Sequence, residues 1–156
     1  MTISEIRKAA IAPAMALLPG SMNSPAAELM LLAIGLQESG FRSRHQQGGP
    51  AHGYWQFELA GVRCVLQHPK SQAPLLALCK ARKLAASAPE IYRALEFDDI
   101  LAAGVARLLL WTDPAPLPAP GDIEASWRYY QRCWRPGRPR YDHWNDLYPQ
   151  AMAAMS

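Results

Sequence analysis

Apolar and polar positions along this chain recur mostly at helical spacing. The densest apolar run is ELMLLAIGL, Glu28–Leu36. Leu31, Ile34 and Gly35 lie seven, four and three residues before Glu38 and share its face. Met30, Leu32, Ala33 and Leu36 make the other faces apolar too, the mark of a buried helix. Ser24-Pro25 predicts its start, a cap residue followed by proline at the first helical position, and Gly40 its end. An earlier helix is predicted over 3–18, opened by the capping-box pattern Thr2-x-x-Glu5, kinked at Pro13 and stopped by Pro19-Gly20.

Residues 40–53 carry Gly48, Gly49, Pro50 and Gly53 and read as loop. The β-type residues of Tyr54-Trp55-Gln56-Phe57 predict a short strand or hairpin arm. Further helices are predicted over Gly61–Leu66, Pro74–Ala86, Pro89–Leu95 and Ile100–Trp111, the last capped by Asp98 or Asp99. Asp122 caps another through Trp134, and Tyr141–Met155 forms the last, broken or kinked at Pro149. The proline-rich Asp113–Gly121 is a stiff loop too short to separate a second domain. The expected architecture is one domain over 1–156, mainly α, of α+β class with a small β-hairpin or sheet.

Composition narrows the possible functions. A chain of 156 residues, 50% of them hydrophobic, has enough material for a real core. The net charge of +3 is mild: it is compatible with an anionic polymer as partner but is weak evidence for a dedicated nucleic-acid binder, and none is expected. Arg132, Arg135, Arg138 and Arg140, interleaved with Trp134 and Tyr141, nevertheless keep a polyanion grip open beside a plain solvated turn. Three cysteines argue against a disulfide framework and for a reducing compartment. Cys64, His68 and Cys79 lack the paired spacing of a zinc site, so neither a metal nor an organic cofactor is expected. No apolar stretch reaches the roughly 18 residues of a membrane span. The apolar run after Arg7 and Lys8 is interrupted by Pro13, which does not read as a secretory signal. A monomer made in the cytoplasm is expected.

The candidate chemistry centres on Glu38. An acid that continues a buried apolar stripe loses hydration, which disfavours its charged form and raises its pKa. A carboxyl kept protonated near neutral pH is what a general acid needs. Glu38-Ser39 ends the buried helix, and Gly53-Tyr54-Trp55-Gln56 follows the Gly-rich loop. In the order and spacing of these two motifs the chain resembles the lytic transglycosylase and goose-type lysozyme families. Their first motif is a Glu-Ser pair, and their second a Gly-Leu-Met-Gln type segment. Their third is a Tyr-Asn pair in a late helix, for which the nearest match is Tyr130-Gln131, with Gln in place of Asn and Tyr129 as a competing tyrosine. The resemblance spans Ser24 to about Arg140, and the aromatic second motif looks like a phage branch of these enzymes.

The resemblance implies a lysozyme-like fold and cleavage of the β-1,4 bond between N-acetylmuramic acid and N-acetylglucosamine in peptidoglycan. It makes Glu38 the catalytic acid, then base. Ser39 and Gln56 position Glu38 or substrate, and Tyr130, with Gln131 beside it, holds Glu38 or stabilises developing charge. Tyr54, Trp55 and Phe57 are candidates to line the sugar cleft. The wall would be reached after release from the host cytoplasm or as part of a virion. Glu58 leaves two chemistries open: a hydrolytic muramidase with Glu58 as second carboxylate, or a transglycosylase, in which the sugar's own hydroxyl attacks. A non-catalytic wall-binding or virion structural protein is the competing class, and a nucleic-acid-binding helical domain using the late arginine cluster is a third.

Overall fold

The cap residues named above act as caps in the three-dimensional structure, a computed structural model that describes residues 1–156. Thr2 and Glu5 exchange both capping-box hydrogen bonds at the start of α1, Ile3–Ile6. The chain continues through a widened turn, Arg7–Ile11, into α2, Ala12–Leu17. The widening sits just ahead of Pro13: the Ala12 N–H reaches back five residues to the Arg7 carbonyl, and proline has no N–H to continue the normal ladder. Ser24 accepts from the Ala27 N–H to open α3, Pro25–Ser39. Gly40, in the left-handed conformation with φ of 63°, closes it by donating to the Gly35 and Leu36 carbonyls.

The next elements are α4, Leu59–Gln67; α5, Gln72–Ala81; α6, Ala88–Ala94; and α7, Asp99–Trp111. Helix α5 stops earlier than its composition suggests, because Lys83 just beyond it takes a left-handed φ of 58°. Asp98 caps α7 and Asp122 caps α8, Ile123–Trp134. Helix α9, Tyr141–Ala153, continues through Pro149.

Two helices form the centre. Residues Leu101–Leu110 of α7 are all buried, so this helix is enclosed on every side and not along a single stripe. It packs against the widened turn, α2, α3, α4 and α5, while α3 packs chiefly against α9. Every helix contributes to one continuous core, which unites the chain from Ile6 to Ala151. Arg107 on α7 is buried within it, donating from Nε to the Met22 carbonyl at 2.7 Å with its guanidinium over the Trp111 ring. No helix is long and apolar enough to cross a membrane.

The expected hairpin or sheet is absent, and the chain is all-helical, not α+β. Extended pairing is confined to isolated bridges, His45 with His52 and His52 with Phe57. His52 and Phe57 exchange two backbone hydrogen bonds, at 2.9 and 3.0 Å, around a turn closed by Gln56 N–H to the Gly53 carbonyl. Gly53 at φ 78° and Gln56 at φ 55° are both left-handed. Left-handed residues end the two-residue alternation of a strand. Neighbouring Tyr54 and Trp55 therefore both turn inward, at 3% and 0% exposure.

Candidate active site

Glu38 stands in the last turn of α3, one residue before Ser39 and the left-handed Gly40. It is half-buried, and its carboxylate forms no ion pair. Oε1 accepts a hydrogen bond of 2.6 Å from the Tyr130 hydroxyl on α8. Oε2 has no protein partner and is not enclosed, so it is the oxygen open to solvent. Burial among apolar neighbours raises the carboxyl from 4.5 to about 7, against the lowering effect of the Tyr130 hydrogen bond. Near neutral pH the group therefore populates both protonation states, the condition for delivering a proton and taking one back.

Tyr130 is held in an aromatic cluster. Its ring stacks on Trp144 of α9, with centroids 5.0 Å apart and planes 12° from parallel, and lies beside Trp127 and Trp134. Burial, then the neighbouring Glu38 carboxylate, drive its hydroxyl pKa upward, so it stays a neutral donor. Tyr129, its competitor, is spent elsewhere, donating to the Leu110 and Ala115 carbonyls at 3.0 and 3.1 Å. Gln131 is half-buried, and its side chain makes no hydrogen bond to Glu38 or any other group.

The segment after the Gly-rich loop is fastened to α3 at two points. Ser39 Oγ donates to the Tyr54 carbonyl at 2.7 Å and accepts from the Phe41 N–H at 3.1 Å. Trp55 Nε1 donates to the Leu31 carbonyl at 2.8 Å. Gly53 packs so closely on the end of α6 that an added Cβ would lie 2.8 Å from the Leu95 carbonyl oxygen. The two motifs are thus one rigid unit, with Ser39 positioning the loop and not touching the carboxylate.

This arrangement revises the expected cleft lining. Trp55 is fully enclosed and offers no surface to a sugar. Tyr54 is also buried, packed edge-on to Phe41 with the Arg44 guanidinium 4.6 Å from its ring centre. Phe57 packs against Trp134 and is 3% exposed, yet it contributes to the wall of the groove that holds Gln56. Gln56 is different: its Nε2 donates to the Gly53 carbonyl at 2.9 Å, leaving Oε1 as an unused acceptor. Gln56 and Glu58 share a groove with Cys64, Asp113, Arg132 and Trp134. Glu38 is not among the residues lining it. Trp134 joins the two regions: it walls the groove, donates from Nε1 to the Trp55 carbonyl at 3.0 Å, and neighbours Tyr130. Glu58 is exposed at the start of α4 and forms no capping bond.

Residues outside the sequence motifs complete the surroundings. Trp144 lies in the last helix, where only its four-residue spacing from the buried Tyr148 signals an inward face. Gln37 donates to the Arg140 carbonyl at 3.1 Å, tying α3 to the turn before α9, while its Oε1 is buried without a partner. The arginine cluster is partly neutralised: Arg132 pairs with Asp113 at 3.1 Å and Arg140 with Asp142 at 2.9 Å. Comparisons of the chain with protein-family models, curated proteins and solved structures return no match.

Proposed function

We propose that this protein cleaves the β-1,4 bond between N-acetylmuramic acid and N-acetylglucosamine in peptidoglycan, as a lytic transglycosylase with one catalytic carboxyl. The observation that carries the reading is the Glu38 carboxyl. It is raised to about 7 by burial, fixed at Oε1 by Tyr130 and open at Oε2. In the first step protonated Glu38 gives its proton to the bridging oxygen as the bond to the muramoyl anomeric carbon breaks. In the second, the Glu38 carboxylate takes the proton of the muramoyl 6-hydroxyl as that oxygen bonds to the same carbon. The products are a free 4-hydroxyl and a 1,6-anhydro end, and Glu38 returns to its starting form. Tyr130 holds the carboxyl in place through both steps. Gln56 Oε1 is suited to accept a hydrogen bond from a sugar hydroxyl or amide.

A transglycosylase is preferred to a two-carboxylate hydrolase because Glu58 is exposed, with no bond that would hold it in a working geometry. The enzyme would meet its substrate beyond the cytoplasm, after release or carried by a virion. The test is digestion of purified cell wall followed by mass analysis of the fragments. The expected product is a 1,6-anhydro end, and Glu38→Gln should lower cleavage by at least about 100-fold while folding normally. Reducing ends in place of anhydro ends would establish hydrolysis, and a Glu38→Gln variant as active as the parent would refute the mechanism.

A second reading is favoured by one observation: the groove through Gln56 and Trp134 is not lined by Glu38. That suits a wall-binding module without turnover. Wall fragments retained equally by the parent and Glu38→Gln, with no product released by either, would establish it.

A further inference from the structure

Outside the Glu38 network, three groups able to ligate a metal converge on one side of the Gly-rich loop. His45 and His52 come from that loop, and Glu96 follows the end of α6. One ligand atom from each lies within 4.8 Å of the other two. His45 Nδ1 is 3.4 Å from a Glu96 carboxylate oxygen. Two ligands bound at about 2.0–2.1 Å around a tetrahedral ion are about 3.3 Å apart, so this pair already has the edge length of such a site.

His52 is prepared for the same role. Its Nδ1 lies 3.0 Å from the Tyr92 carbonyl. A carbonyl oxygen only accepts, so Nδ1 carries the proton and the lone pair is on Nε2. A ring nitrogen donating to a backbone carbonyl is the usual outer-shell support of a metal-bound histidine. The His52 ring is also fixed by stacking on Tyr92, with centroids 3.9 Å apart and planes 8° from parallel. His45 is exposed and Glu96 half-buried, so both have room to close the remaining distance. Gly48 and Gly49, between the two histidines, let the loop adjust.

We propose that His45, His52 and Glu96 form a binding site for a zinc-type divalent cation, completed by solvent, which clips the Gly-rich loop to the end of α6. Two imidazoles and one carboxylate suit zinc and its first-row neighbours; calcium and magnesium prefer sets made of oxygen. The site is structural. It secures the loop whose last residue, Gly53, already packs on the Leu95 carbonyl and leads into the inward-facing Tyr54 and Trp55. The site does not depend on glycan cleavage.

The test is zinc chloride titration of the full, metal-stripped chain in a non-thiol reductant, by calorimetry and thermal unfolding. One equivalent is expected to bind and raise the melting temperature, and calcium should produce no such rise. Glu96→Gln, which keeps the size of the side chain, and His45→Ala at its exposed position should weaken zinc binding by at least about 10-fold, as should His52→Ala. His68→Ala and Cys64→Ser should bind as the parent does. No saturable zinc binding would overturn the proposal. So would binding that survives Glu96→Gln and His45→Ala unchanged, or that disappears in Cys64→Ser.

Discussion

The Tyr130 hydroxyl donates to Glu38 Oε1 at 2.6 Å across a sequence separation of 92 residues. It joins the end of α3 to the middle of α8 and opposes the effect of burial on the carboxyl: desolvation favours the neutral acid, and the phenol favours the anion. The balance of the two leaves Glu38 near neutrality.

Removing the phenol should move that balance in a known direction. In Tyr130→Phe the ring can still stack on Trp144, so the cluster is retained, while Glu38 loses its only hydrogen-bond donor. The Glu38 midpoint is expected to rise above 7. The alkaline limb of a pH–activity profile should move upward with it, and carbon NMR of the side-chain carboxyl would report the same shift without an activity assay. An unchanged midpoint would mean that Tyr130 does not act on the acid.

Glu38 should also make stability depend on pH. Its folded pKa of about 7 lies above the ordinary 4.5, so the folded state binds more protons than the unfolded chain between those values. Stability from this group is complete below 4.5 and is lost as pH rises through 7. The loss amounts to at most about 3 kcal/mol. Glu38→Gln lacks this dependence, so it should gain on the parent between pH 4 and pH 8 in urea unfolding. A constant difference between the two proteins across that range would contradict the raised pKa.

Two glycines of the same loop should respond unequally to alanine. Both Gly48 and Gly53 have left-handed backbone, with φ of 71° and 78°, but only Gly53 faces a close obstacle, the Leu95 carbonyl. Gly48→Ala should cost about 1–2 kcal/mol for the conformation alone. Gly53→Ala should cost about 1–3 kcal/mol more, because backbone must shift to admit the methyl group. Denaturant midpoints measured with unchanged slopes would separate the two.

Ser39→Ala tests the pin between the two motifs. Losing the bonds to the Tyr54 carbonyl and Phe41 N–H should destabilise the fold by about 1–3 kcal/mol. The pH midpoint of Glu38 should stay in place, since Ser39 does not touch the carboxylate. A shifted midpoint would assign Ser39 a direct role in tuning the acid.

Glu58→Gln should leave cleavage within about 3-fold of the parent, well short of the 100-fold or greater contribution of a working acid or base. Loss of cleavage as large as in Glu38→Gln would restore the two-carboxylate reading.

The helices and the acid were legible in the sequence because their causes are local. Ser24-Pro25 and Gly40 bound α3, and its unbroken apolar run announces burial whatever it packs against. That run also places Glu38 at the edge of the core, enough to expect a raised pKa. The sequence motif points to Tyr130 over Tyr129 only through the resemblance; packing separates the two, since adjacent helical residues point about 100° apart and Tyr129 is turned to the Leu110 and Ala115 carbonyls while Tyr130 donates to Glu38.

The segment from Gly53 to Phe57 departs from the expected strand for a physical reason. Its aromatic residues fit a strand, but the left-handed Gln56 makes it a turn, and a non-glycine left-handed residue leaves no mark in composition. The stacking of Trp144 on Tyr130 and the meeting of Glu96 with His45 and His52 leave no local mark, because each depends on elements distant in sequence. The sequence by itself determined where the capped helices α3, α7 and α8 begin and which acid the core would desolvate, since capping and periodicity act within a few residues. The tertiary structure alone decided which phenol meets that acid, which aromatic residues are enclosed and which line a groove, because those depend on how α3, α8 and α9 pack across the whole chain.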